Sequence, residues 1–194
     1  MGTTIRNEIK SMAKSNKGSP YERTICKQLS LWWSGDEDQE VFWRTSMSGG
    51  RATIRAKQKL KTPNSYGDVG YLDTIGKPFI DKVLLELKRG YTKDISILDF
   101  LDKNRGEPIL LKWWNKAEKE RRLAKRKYIF IIFRRDRHKS CILLKEQVFG
   151  KMKDWFGTFN NNIINIKHKN LKLVAIELDK FLDWCNPNFF QKGR

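Results

Sequence analysis

The stretch from Asn64 to Gly90 constrains this chain more than any other part of it. Val83 to Leu87 is a short apolar run rich in branched side chains, broken by Glu86 and Lys88 and stopped by Gly90, which predicts a β-strand. Side chains alternate along a strand, so Val83, Leu85 and Leu87 point one way and Leu84, Glu86 and Lys88 the other. A carboxylate and an ammonium at the end of an otherwise apolar strand are costly unless they are paired. Asp68 opens the preceding run, Val69 to Leu72, and Thr74 to Pro78 has turn composition. A hairpin that sets Asp68 beside Glu86 is therefore expected.

Two carboxylates on neighbouring strands make a hard-oxygen site for Mg²⁺, with Mn²⁺ as its substitute. Mg²⁺ keeps several waters and takes one or two protein carboxylates plus substrate phosphate. A nearby lysine can orient an attacking water or touch a phosphate. The alternative is a salt bridge at a strand end, and Glu8-Ile9-Lys10 repeats the acid-any-lysine spelling in a stretch with no such strand.

The order of strand with Asp, turn, and apolar strand with Glu-x-Lys resembles the PD-(D/E)xK nuclease superfamily, carried here by Gly67-Asp68 and Glu86-Leu87-Lys88. The proline of the family name is glycine in this chain. The resemblance implies that Asp68 and Glu86 bind the metal, that the Leu87 carbonyl is a further ligand, and that Lys88 positions water. It also implies a metal role for Glu22 on the first helix. That helix is predicted from apolar residues at 21, 25, 29, 32 and 33, with Ser19 as N-cap, Pro20 as first helical residue and Glu22 closing a capping box. Glu22 thus has a structural reading and a catalytic one. Lys17-Gly18-Ser19, Glu22-Arg23, Arg44-Thr45-Ser46 and Ser48-Gly49-Gly50 resemble archaeal Holliday-junction resolvases over about the first half of the chain. An insert at 51–66 and the length beyond a minimal resolvase keep phage-borne and restriction-type endonucleases open as relatives.

Forty basic and twenty-two acidic residues leave a net charge of +18, a field that attracts polyanions, nucleic acid first. A membrane surface is the second candidate partner, although no long apolar run or signal-peptide pattern is visible. Cys26, Cys141 and Cys185 are odd in number and far apart, which fits reduced thiols in a cytoplasmic protein. Only two histidines and no Cys-x-x-Cys argue against structural zinc.

Candidate DNA contacts fall in three groups. Lys17, Arg44 and Ser46 belong to the resolvase-like motif, and Arg51 opens the insert. Within the insert, Arg55, Lys57 and Lys59 alternate with less polar residues, making either a phosphate track or a solvated loop. On a helix expected over Leu110 to Lys127, Lys116, Arg121, Arg122 and Lys125 make a basic face, for phosphate or for solvent.

Tyr128 to Phe133 reads as a buried strand, Cys141 to Leu144 as its return, Glu146 to Phe156 as a helix, Leu171 to Leu178 as a strand, and Asp179 as the cap of a helix reaching Trp184. The expected fold is α/β, a PD-(D/E)xK (restriction-endonuclease-like) core with a central mixed sheet flanked by helices. Its expected organisation is a basic arm at 1–16, a nuclease core at 17–145, and a C-terminal α/β extension at 146–194 packed on that core. The expected function is a Mg²⁺-dependent DNA endonuclease acting as a homodimer, duplex DNA being placed ahead of the four-way junction. The alternatives are a Holliday-junction resolvase, a binding module that has kept the fold without the chemistry, and an RNA-directed protein.

Overall fold

The computed structural model describes residues 18–45, 66–90, 95–101 and 106–191. Helix α1 (Gly18–Ser34) buries Tyr21, Ile25, Leu29 and Trp33, the one-sided stripe that its apolar spacing predicts. Ser19 lies inside the first turn of α1 and not ahead of it. Near the other end of α1, the buried Ser30 hydroxyl accepts from the backbone N–H groups of Val41 and Phe42 at 3.1 and 2.9 Å. That anchor starts β1 (Phe42–Arg44), which pairs antiparallel with β2 (Val69–Tyr71).

The expected hairpin from β2 to the Glu86 strand does not form. Asp73 accepts from the Ile75 N–H at 3.0 Å and caps a 3₁₀ turn over Thr74–Gly76. Pro78 then sits in the first turn of helix α2 (Lys77–Lys82). A proline between two strands suits a helix start as well as a tight turn, because its fixed φ and missing N–H cost nothing in a first helical turn. Helix α2 feeds β3 (Val83–Gly90) at the sheet edge.

A second 3₁₀ turn covers Ile97–Phe100. Helix α3 (Ile109–Ala124) is the crossover to β4 (Tyr128–Arg135). Strands β3 and β4 are parallel, with Val83 opposite Tyr128 and Lys88 opposite Phe133, a pairing that needs such a crossover. Strand β5 (Cys141–Lys145) returns antiparallel to β4. Then come α4 (Glu146–Phe156), β6 (Ile163–His168), β7 (Leu171–Glu177), α5 (Leu178–Trp184) and α6 (Asn188–Gln191). Asp179 lies inside the first turn of α5, where its carboxylate accepts from Gln28 Nε2 at 2.5 Å.

The sheet order is β3-β4-β5-β7-β6. Strand β7 sits between β5 and β6, antiparallel to both, so the C-terminal part is built into the sheet and not packed on it. One sheet face carries Val83, Leu85, Leu87, Phe130 and Ile132 against buried residues of α1, α2, α4, α5 and α6. The other carries Leu84, Ile129, Ile131 and Phe133 against Trp113, Trp114 and Ala117 of α3. The result is a three-layer α/β fold with a mixed central sheet. Phe79 and Phe190 meet edge to face at 4.8 Å between ring centroids, fastening the last helix into the core.

Candidate active site

Strand β3 is an edge strand, and its outward backbone groups would be open to pairing with another chain. The segment before β2 covers them. The Asp68 N–H donates to the Leu85 carbonyl at 2.8 Å, and the Leu87 N–H donates to Asp68 Oδ2 at 2.7 Å. One residue thus pairs with β3 through its backbone and again through its carboxylate. Gly67 makes the approach possible: its φ is +75°, and a Cβ there would lie 2.6 Å from the Leu85 oxygen.

Every backbone polar group of Gly67 and Asp68 has a partner, as groups this enclosed require. The Gly67 N–H donates to Glu120 Oε1 at 2.7 Å, and the Gly67 carbonyl accepts from the Thr45 hydroxyl at 2.7 Å. The Asp68 carbonyl accepts from the Thr45 N–H at 3.0 Å. Beside them the buried Arg126 donates through Nη1 to the Tyr66 carbonyl at 3.0 Å and the Val83 carbonyl at 3.2 Å.

Glu86 and Lys88 share the face of β3 that looks toward α3, as the alternation predicts. Lys88 Nζ lies 2.6 Å from Glu86 Oε2, 3.6 Å from Asp68 Oδ2 and 3.4 Å from the Leu87 carbonyl. Glu86 is 3% exposed. Burial first, and the Asp68 carboxylate second, push its pKa up to about 7 against the pull of Lys88. A carboxyl so disfavoured in its charged form, facing a second carboxylate and a backbone carbonyl, is an oxygen donor set that a hard divalent cation relieves. The donor chemistry therefore fits Mg²⁺ or Mn²⁺. Among the described residues, no group of three or more His, Cys, Asp or Glu side chains is gathered to hold an ion.

Glu22 stands at the edge of this cluster. Its Oε2 lies 3.5 Å from Arg44 Nη1. Burial and then the charge of Asp68 raise its pKa, with Arg44 opposing.

The other sequence candidates are spread more widely. Lys17, Ser46, Arg51, Arg55, Lys57 and Lys59 lie outside the described residues. Lys116, Arg122 and Lys125 are exposed on or just past α3. Arg121 is committed internally: Nε and Nη2 take the Glu118 carboxylate at 2.9 and 2.8 Å, and Nη1 donates to the Arg126 carbonyl at 2.5 Å. Arg122 also donates through Nε to Glu118 Oε1 at 3.0 Å, and the hydrogen bonds from Arg121 first and Arg122 next hold Glu118 down at about 2 against its partial burial. Glu120 and Arg126 read in sequence as ordinary members of a charged helix, and their hold on residues 66 and 67 spans more than fifty positions. No local signal marks them.

An edge strand with Glu-x-Lys, an aspartate laid against it, and a mixed sheet between helices together define a PD-(D/E)xK-type nuclease core. Residues 13–192 match the family described as "Phage putative PDDEXK endonuclease". The chain belongs to that family of phage endonucleases, and the match runs through the C-terminal strands as well as the motif. No curated protein and no solved structure matches it significantly. Among the described residues, no helix is long and apolar enough to cross a membrane.

Proposed function

We propose that this protein is a Mg²⁺-dependent endodeoxyribonuclease, able to use Mn²⁺, in which Asp68, Glu86 and the Leu87 carbonyl hold the ion and Lys88 orients the attacking water. The supporting observation is the convergence of two carboxylates and a carbonyl around Lys88 Nζ, all within 3.6 Å of it. Such an ion, when bound, supplies the positive charge that polarises a phosphodiester and acidifies water. The residues do the rest. The hydrogen bond from Leu87 fixes the direction of the Asp68 carboxylate. Glu86 presents a carboxylate whose buried charge gains from a cation. Lys88 has three donors on a flexible stem, enough to hold a water while keeping Glu86. The net charge of +18 draws DNA to the site over long range.

The test is cleavage of plasmid and linear duplex DNA with Mg²⁺, Mn²⁺ or EDTA. Wild type should cut only with metal, and Asp68→Ala, Glu86→Ala and Lys88→Ala should each abolish cutting while still binding DNA and melting cooperatively. Cutting that survives EDTA, or a fully active Asp68→Ala, would defeat the proposal. Adding a four-way junction and a structured RNA to the same panel reads the substrate. Preference for linear duplex is expected, whereas paired symmetric incisions confined to the junction would mark a resolvase and its two-fold dimer.

A further inference from the structure

Gly67 occupies the place of the proline in the family signature, and the structure gives a reason why proline is excluded. Proline requires φ near −65° and has no N–H. Gly67 has φ +75° and spends its N–H on Glu120. The proline route to a stiff backbone ahead of the aspartate is closed in this chain, and hydrogen bonds to residues 66 and 67 take its place.

We infer that Glu120, in the last turns of α3, and Arg126, two residues past its end, are positioning residues that substitute for that stiffness, clamping residues 66 and 67 so that the Asp68 carboxylate stays set against Glu86. The inference rests on the nuclease reading of Asp68 and Glu86. Its geometry has two jaws. Glu120 Oε1 takes the Gly67 N–H in a charge-assisted hydrogen bond. Arg126 Nη1 joins the Tyr66 carbonyl to that of Val83, the first residue of the strand that carries Glu86. One guanidinium therefore ties the loop bearing one carboxylate to the strand bearing the other. Arg126 is 6% exposed, and its backbone is fixed in turn by its N–H to the Arg121 carbonyl at 3.1 Å and by the Arg121 side chain. Leu85, Leu87 and Thr45 hold Asp68 itself, and the clamp adds to them by fixing the backbone just ahead of it, where Gly67 would otherwise keep the conformational freedom of glycine. Residues that orient metal ligands from behind characteristically affect metal affinity or activity by ten- to a hundred-fold.

The decisive measurement is Mn²⁺ binding by calorimetry on the full chain, alongside single-turnover cleavage and thermal melting. Glu120→Gln keeps an oxygen acceptor and should retain Mn²⁺ affinity within about three-fold. Glu120→Asp keeps the charge but withdraws the acceptor by one methylene, and should weaken Mn²⁺ binding about ten-fold and slow cleavage with little change in DNA affinity. Gly67→Pro, which restores the family signature, should lose Mn²⁺ binding. Ile166→Ala, a core cavity in the strand at the far edge of the sheet, should lower the melting temperature and leave Mn²⁺ affinity unchanged, separating positioning from stability. Wild-type Mn²⁺ affinity in Glu120→Asp, or in Gly67→Pro, would overturn the clamp while leaving the nuclease reading intact. A wild-type chain that neither binds Mn²⁺ nor cuts DNA would overturn both.

Discussion

Glu22 sits where α1 faces the covered edge of β3, paired with Arg44 and repelled by Asp68. Its pair with Arg44 is partly solvated and long at 3.5 Å, so it stabilises the fold by no more than about 1 kcal/mol. Glu22→Gln should therefore melt close to wild type. Cleavage should nonetheless fall by at least ten-fold if the carboxylate supports the ion or its water, as the family resemblance implies. Unaltered cleavage rates in Glu22→Gln would reduce Glu22 to a partner of Arg44. The same scale shows what spelling can and cannot reveal. Glu86 and Lys88 were bound to share a face because alternation is a property of the strand itself. The hydrogen bond from Leu87 to Asp68 is not written in either residue's neighbourhood.

Helix α3 serves two masters. Trp113, Trp114 and Ala117 pack on the sheet, both tryptophans buried. Its exposed side carries Lys116 and Arg122, with Lys125 just beyond in the left-handed conformation at φ 55°. Arg121 belongs to neither group, because its whole fork is taken by Glu118 and the Arg126 carbonyl, whereas the exposed Arg122 gives only Nε to Glu118. The two kinds of arginine should separate in experiment. Neutralising Lys116, Arg122 and Lys125 together should weaken duplex binding and flatten the log-log salt slope by about 0.9 for each phosphate no longer neutralised. Arg121→Ala should lower the melting temperature and leave the slope unchanged. If the triple variant keeps the wild-type slope, that face is merely solvated; if Arg121→Ala alone flattens it, the division of labour is wrong.

At the scale of the whole molecule, the C-terminal quarter is structural. Strand β7 supplies the antiparallel neighbour of β5 from Cys141 opposite Glu177 to Lys145 opposite Leu173. Val174, Ile176, Leu178, Phe181 and Phe190 all lie in the larger of the two core clusters. A fragment ending at Lys145 would expose that apolar surface and leave β5 as an open edge. It should fail to give a cooperative melt by circular dichroism, and a soluble fragment that melts cooperatively would show that 17–145 is a domain in its own right. An appended extension is a reasonable expectation from the motif, which ends at Lys88. The sheet order contradicts it, because the strand that follows α4 in sequence, β6, is the outermost, and the later β7 takes the inner place.

What could be known from the chain alone was whatever repeats at short range. The helix over Glu146 to Phe156 emerged with its expected bounds, the apolar runs at 83 and 128 became strands, and the carboxylate and ammonium of Glu86 and Lys88 fell on one face. Each of these follows from backbone periods of 3.6 or 2 residues, which a few neighbouring side chains make plain. Ile163–His168 escapes a reading by pattern because its apolar residues are interrupted by Asn165 and Lys167 beside an asparagine-rich loop. Which strands pair, how Asp68 reaches β3 without a hairpin, and that Glu120 of α3 holds Gly67 were settled only in three dimensions. Those contacts satisfy backbone groups and bury surface between residues tens of positions apart, and the choice among such partners is made by the whole core at once.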